Sequence, residues 1–273
     1  MDFPMQNCMI SLENFSGTQI RKLLTYCHDM AYTVLDLQRL QEKITTVGME
    51  NIAARYLAPG ELLCWGRFTA DKRRREWLGG RIAAKYAAAG LLTRNGRIRP
   101  GSELAIVAAP NGRPHLDPEL PGAFPPDISI SHSSSLAAAL AVSKGLCGID
   151  IQKITDRTVK VRDRFCTADE NAILASFFHG PAARQSTLLT MLWAAKEALR
   201  KAAGPGTLPG FLELKLTGIH SGLPDKNSTA WRFNFLWKAG NINGDRMTAK
   251  YGAAVTLVAD YALALTVRND TVD

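Results

Sequence analysis

A chain of 273 residues is long enough for one large domain or two of ordinary size. With 46% hydrophobic and 21% charged residues it has the make-up of a globular protein with a sizeable core, which argues against a disordered or fibrous chain. A net charge of +8 points to an anionic partner (nucleic acid, a phosphorylated ligand, an acidic protein or a membrane surface) and does not choose among them.

Residues 1–15 read as a loose leader. From Ser16 the spacing of Ile20, Leu23, Leu24, Cys27, Met30, Ala31, Val34 and Leu37 predicts one docking helix, capped by Ser16 and with Gly48 beyond its end. Glu61 to Phe68 reads as a short strand. Asp71 can then cap a helix that runs to about Ala89, with Gly90 as its stop. Lys72, Arg73, Arg74 and Arg75 fall in its first turn, where four adjacent cations oppose the helix dipole. They form either a solvated face or a site whose charge is offset by phosphate. Gly79-Gly80 weakens a helix interior, which suggests close packing against another element.

Leu104 to Ala109 reads as a strand and Pro110 to Pro114 as a turn. Asp127 to Ser131 alternates like a strand and leads into a polar turn, His132 to Ser135. Leu136 to Val142 and Leu146 to Ile151 are apolar strands, the second interrupted by Asp150. Thr167-Ala168-Asp169-Glu170 has the form of a capping box and opens a helix to about Phe178. A longer helix starts near Ser186 and stops at Gly204-Pro205. Strands follow near Phe211–Leu216, Trp231–Trp237, Lys250–Val258 and Tyr261–Val267. A helix followed by several strands occurs twice, which suggests an α+β protein of two similar α/β lobes meeting near residues 143–147. The expected division is an N-terminal, mainly helical extension over 1–60, a first lobe over 61–145 and a second over 146–273.

The five cysteines are widely spaced and form no CxxC pair, as expected of a reduced, cytoplasmic protein. The five histidines are scattered, so a zinc site has little support. No secretory signal and no membrane-spanning helix are expected.

Two stretches carry chemistry. Asp150 sits within an apolar strand, and a buried carboxylate needs a cation, hydrogen bonds or a metal. An arginine partner would be the plain structural reason for it. Gln152 leaves the same strand face, so the two can offer oxygen ligands to a hard cation such as Mg²⁺. On the long helix Trp193, Glu197 and Lys201 share a face, and Lys196 lies about 100° away from Glu197. A surface Glu–Lys pair is the plain reading. The apolar neighbours Ala194, Ala195 and Ala198 weaken it, because they argue against full solvation. Two acids holding Mg²⁺ beneath a diphosphate, with lysines nearby, is a recurrent arrangement for phosphoryl-type transfer.

These residues bring a family into view. Asn111-Gly112-Arg113-Pro114, Ile130-Ser131-His132-Ser133, Gly148-Ile149-Asp150-Ile151, Arg164-Phe165 with Glu170, and Trp193-Ala194-Ala195-Lys196-Glu197-Ala198 with Lys201 stand in one order. The pair GID and WxxKEA is the most specific of these. In order and spacing, from roughly Glu61 onward, the chain resembles the 4′-phosphopantetheinyl transferases of the Sfp type. The resemblance implies two lobes related by pseudo-twofold symmetry in a monomer, here with an extra N-terminal helix. It implies transfer of the phosphopantetheine arm of coenzyme A to a serine of an apo acyl or peptidyl carrier protein, giving adenosine 3′,5′-bisphosphate.

By the same resemblance Asp150 and Glu197 hold Mg²⁺ (or Mn²⁺), with Gln152 where some members have a third acid. Glu197 would deprotonate the serine, directly or through water. Lys201 and Lys196 would serve the diphosphate. Ser131 and His132 would bind coenzyme A phosphate, Arg113 the adenine end, and Arg75 or a neighbour the same end. Without the motif, His132 reads as a hydrogen-bonded loop residue. The competing readings are a catalytically degenerate coenzyme A binder and a basic nucleic-acid-binding protein using Lys72 to Arg75. The latter leaves Asp150 and Glu197 unexplained and has no base-reading motif. No nucleic acid or membrane partner is expected.

Overall fold

The computed structural model of the chain describes residues 5–12, 15, 17–25, 28–92, 101–117, 125–178, 184–204, 208–221, 230–238 and 248–268. The elements are α1 (Gly17–Leu24), β1 (Met30–Asp36), α2 (Leu37–Val47), α3 (Met49–Tyr56), α4 (Pro59–Gly66), α5 (Asp71–Leu92), β2 (Ile106–Ala108), β3 (Pro114–Leu116), β4 (Asp127–Ser133) and β5 (Leu136–Val142). They continue with β6 (Leu146–Lys153), α6 (Arg157–Lys160), α7 (Ala168–Phe177), α8 (Gln185–Lys201), β7 (Leu214–Ser221), β8 (Ala230–Lys238), β9 (Thr248–Val258) and β10 (Tyr261–Arg268). The chain divides into two compact units, Met1–Ser11 with His28–Cys147, and Leu12–Cys27 with Gly148–Asp273.

Both units have one topology. The first sheet has the strand order β1-β5-β4-β3-β2, and the second β6-β10-β9-β8-β7. In each, a strand leads through helices into a four-strand meander, and the last strand of the meander pairs with the first strand. One long helix covers each sheet: α5 lies on β1, β5 and β4, and α8 on β10 and β9. The α+β class and the twice-used arrangement agree with the sequence reading.

Local sequence explains the close contacts. Every residue of β5 is buried, and its run of alanines lets other elements approach closely. The Gly79-Gly80 pair has the role expected of it. A Cβ on Gly79 would stand 2.3 Å from a Leu37 methyl, and one on Gly80 3.1 Å from Ile130 Cγ2. Thr167 and Glu170 form the expected capping box of α7. The turn before β3 closes with Ala109 N–H donating to the Arg113 carbonyl, and Gly112 adopts φ +82°.

Several expectations are corrected. The single helix predicted from Ser16 is instead α1, strand β1 and helix α2. The chain leaves α1 at Thr25, which has φ 55°. Tyr32-Thr33-Val34 favours a strand, and β1 pairs antiparallel with β5 from Met30↔Val142 to Asp36↔Leu136. Asp36 then caps α2, its carboxylate accepting from Gln38 N at 2.8 Å and Arg39 N at 3.2 Å. Within the span expected to be a helical extension, β1 is thus an edge strand of the first sheet. α1 belongs to the second unit: it lies on β9 and β8, and Arg232 donates to Leu23 O at 2.7 Å and Thr25 Oγ1 at 2.6 Å.

Glu61 to Phe68 is not a strand: its residues up to Gly66 form most of α4, opened by Pro59 and by the Glu61 carboxylate accepting from Ala58 N at 2.9 Å. α5 runs past Gly90 to Leu92, with Asp71 as its first residue. His132 and Ser133 lie in β4, and the tight turn is at Ser134 (φ 51°) and Ser135. Residues 211–213 form a turn, and β7 starts at Leu214. Among the described residues no helix is long and apolar enough to cross a membrane.

Candidate active site

The second unit gathers Asp150, Glu197 and Lys201 where β6 meets α8. Gly148 makes this possible. A Cβ there would fall 1.9 Å from the Ala198 carbonyl oxygen, so only glycine lets the helix backbone come this close to the strand. Two residues further along β6, Asp150 is buried. Lys201, in the last turn of α8, reaches across to donate to Asp150 Oδ1 and to the Ile149 carbonyl, both at 2.8 Å.

Glu197 stands one turn before Lys201. Its side chain is 23% exposed and accepts from Arg200 Nη1 at 3.1 Å. Burial pushes its carboxyl above the usual carboxylate range, and the negative charge of Asp150 adds to the rise. Arg200 and Lys201 oppose it and do not cancel it. The two carboxylates are close enough in space for Asp150 to raise the proton affinity of Glu197, although they stand 47 positions apart in sequence (150 to 197). Gln152, two residues on in β6, is partly exposed.

Lys196 does not join them. It is fully buried, and its ammonium donates to Phe165 O at 2.7 Å, Glu170 Oε2 at 2.9 Å and Phe211 O at 3.0 Å. Its three protons are committed inside the unit, so it offers none to a cofactor. Glu170 also accepts from the backbone N–H groups of Thr167 and Leu216. The pair therefore ties α7, α8 and β7 together. Trp193 completes this scaffold, edge-on to Phe165 at 5.1 Å and stacked on Phe211 at 4.6 Å.

The first unit repeats the device, a repeat that the sequence reading missed. Glu61 caps α4 and pairs with the buried Lys85 of α5, which also donates to Tyr56 O. The local sequences correspond: Arg55-Tyr56-x-Ala58-x-x-Glu61 and Arg164-Phe165-x-Thr167-x-x-Glu170. The residue after the lysine differs, Tyr86 in the first unit and Glu197 in the second. The Tyr86 hydroxyl accepts from Met5 N at 3.2 Å.

The remaining expected residues lie in the first unit. Ser131 is buried in β4, and His132 is partly exposed on the same strand. Arg113 makes a forked pair with Asp127 and donates to Cys147 O at 3.0 Å, while Cys147 N donates to Asp127 at 2.7 Å. That knot fixes the Asn111–Pro114 turn. Arg75 donates to the Gln41 side chain on α2. The basic run is largely partnered within the unit. Lys72 lies 3.9 Å from Glu76, Arg74 pairs with Glu50 at 3.1 Å and stacks on Trp65, and Arg73 covers Phe68. A basic residue outside the run, Arg81, lines a hollow together with His132.

Among the described residues no cluster of three or more His, Cys, Asp or Glu side chains that could hold a metal is present. Asp150 and Glu197 are two carboxylates, the number an octahedral Mg²⁺ with several waters commonly uses.

No curated protein matches the chain. Solved structures resemble part of it, among them three holo-(acyl-carrier-protein) synthases. The holo-(acyl-carrier-protein) synthase of Bacillus anthracis, in complex with coenzyme A (3′,5′-ADP), is 21% identical over 41% of this chain and 92% of its own, with a TM-score of 0.35. The Neisseria meningitidis synthase is 22% identical over 42% and 96%, at 0.36. The Helicobacter pylori synthase, in complex with coenzyme A, is 18% identical over 42% and 100%, at 0.34. At such scores these are likenesses of part of the chain only. The family model of the 4′-phosphopantetheinyl transferase superfamily matches residues 146–266, the stretch that carries Asp150, Glu197 and Lys201.

Proposed function

We propose that the chain transfers the 4′-phosphopantetheine arm of coenzyme A to a serine of an apo acyl or peptidyl carrier protein, with adenosine 3′,5′-bisphosphate as the second product. The observation that carries this reading is the acid pair Asp150–Glu197, beside Lys201, within the stretch that matches the superfamily. Two units of equal topology in one chain support the single-chain, Sfp-type arrangement.

The residues fit a hard divalent cation. Asp150 and Glu197 supply carboxylate oxygens, and Gln152 offers an amide oxygen from the same strand. The mutual repulsion of the two acids is what a cation would relieve. Bound there, Mg²⁺ would neutralise charge on the diphosphate.

The chain's own residues do the rest. Lys201 holds the Asp150 carboxylate in place and adds fixed positive charge for the diphosphate. The serine Oγ–phosphorus bond forms as the bond from phosphorus to the departing bisphosphate breaks. The serine proton passes to Glu197, directly or through water. A carboxylate made more basic by burial and by a neighbouring acid suits that role. Coenzyme A, Mg²⁺ and an apo carrier protein mixed with this protein should yield a carrier heavier by one phosphopantetheine arm on intact-mass spectrometry. Acyl and peptidyl carriers that all stay unmodified at every Mg²⁺ concentration would refute the reading.

A further inference from the structure

The two buried clamps, Lys85–Glu61 and Lys196–Glu170, correspond residue by residue, so what differs beside them marks what the second unit has of its own. Counting on from the clamp lysine, Tyr86, Ala89 and Gly90 of the first unit stand where the second has Glu197, Arg200 and Lys201. Glu197 and Lys201 belong to the acid site. Arg200 comes with them, and the reading above gives it no task. Its counterpart Ala89 is a buried core residue.

Arg200 is held on three sides. Its guanidinium lies 4.5 Å over the Phe211 ring, its Nε donates to Pro209 O at 2.9 Å, and its Nη1 donates to Glu197 Oε1 at 3.1 Å. Phe211 is itself fixed, stacked on Trp193 at 4.6 Å and with its carbonyl accepting from the clamp lysine Lys196 at 3.0 Å. Trp193, Glu197 and Arg200 follow at steps of four and three along α8, so they share a face. An ion pair at that spacing on an exposed helix adds little. Here the cation is planar, stacked and tied to a backbone carbonyl, so its remaining donor is aimed in a fixed direction.

Glu197 needs such a holder. Its side chain has several rotatable bonds and is 23% exposed, and the charge of Asp150 acts against its own. That repulsion favours turning the carboxylate away from Asp150 toward water. The bond from Arg200 opposes the turn. It engages Oε1 and leaves Oε2 for an ion or for the serine proton.

We propose that Arg200 is a positioning residue: seated on Phe211 and tied to Pro209, it holds Glu197 toward Asp150 so that both acids can take one divalent ion. This deepens the transferase reading and rests on it for the ion and the reaction.

Titration with Mn²⁺, followed by electron paramagnetic resonance, tests it without any transfer step. Charge and position predict opposite signs. Arg200→Leu removes a positive charge, which by itself would tighten cation binding. Lost positioning should instead weaken it by about tenfold, the usual cost of removing a group that orients a metal ligand. Arg200→Lys keeps the charge and one donor and should recover part of the loss. In a Glu197→Ala background Arg200→Leu should weaken binding no further, whereas a residue that only braced the 209–211 segment would weaken it again. In the transfer assay Arg200→Leu should lower kcat by about tenfold and leave the KM for coenzyme A unchanged. Melting curves check that each variant is folded. Equal or tighter Mn²⁺ binding by a folded Arg200→Leu, or further weakening in the Glu197→Ala background, overturns the assignment and leaves the transferase reading standing. Arg200-dependent Mn²⁺ binding alongside unmodified carrier proteins would overturn only the transferase reading. A wild type that binds no Mn²⁺ overturns both the ion and the role of Arg200.

Discussion

Lys196→Met should unfold the second unit far more readily than Lys201→Met, although the two lysines are five residues apart on one helix. The ammonium of Lys196 faces Glu170 in a fully buried pair. Removing one partner of such a pair costs about 3–5 kcal/mol, because the other charge is left uncompensated. The carbonyls of Phe165 and Phe211 lose a donor as well, at about 1–3 kcal/mol for each buried orphan. The backbone donors from Thr167 and Leu216 still reach Glu170 and soften the loss, so about 3–5 kcal/mol is the expected total. Lys201 is 28% exposed, and its removal should cost about 1 kcal/mol or less. Urea unfolding followed by tryptophan fluorescence reads the difference, since Trp193 is stacked against the clamp. Lys196→Met with Glu170→Gln should recover more than half of the loss, as no carboxylate is then stranded. A Lys196→Met protein as stable as wild type, yet unable to bind coenzyme A, would refute this reasoning and return Lys196 to the cofactor.

Other outcomes follow from the same packing. Gly148→Ala drives a methyl into the Ala198 carbonyl, so it should lower stability by about 3 kcal/mol or more and reduce transfer in proportion to the displacement of α8, seen by thermal melting and by rate. Glu197→Gln should stabilise the fold at neutral pH and not in acid. The native carboxyl holds its proton to higher pH than the unfolded one, so the cost of ionising it enters as pH rises through the carboxylate range toward the raised native value. Melting curves of both proteins across that range check the sign, and a variant less stable at neutral pH contradicts it. Arg232→Ala removes the donor to Leu23 O and Thr25 Oγ1, so it should cost about 1–2 kcal/mol and raise hydrogen exchange in α1.

Elements with strong local signals are legible in the sequence. The α8 helix, the apolar strands β5 and β6, the α7 capping box and the reason for Gly79-Gly80 all have causes within a few residues. The failures share a different cause. Ile20 to Leu37 has helical spacing, but Tyr32-Thr33-Val34 finds a partner strand more than a hundred residues later in β5, and that pairing decides the outcome. Glu61 to Phe68 looks like a strand by composition, whereas Pro59 and the Glu61 cap start a helix.

At the site, motif and spacing single out Asp150, Glu197 and Lys201, and the structure brings these together. Lys196 has the same local pattern as its neighbours. Its burial depends on Glu170, 26 residues earlier, and no helical periodicity reports that contact. Arg81 is hidden among other basic residues of α5. It stands four positions before the clamp lysine Lys85, where the second unit has Leu192 four positions before Lys196.

The most direct test is the single-turnover rate of carrier modification at saturating coenzyme A and Mg²⁺, for wild type, Asp150→Asn and Glu197→Gln, each shown to be folded. Loss of a general base or of a carboxylate that supports the metal should slow transfer by about a hundredfold or more in either variant. Transfer by both variants at the wild-type rate would show that the two acids are neighbours without a shared task.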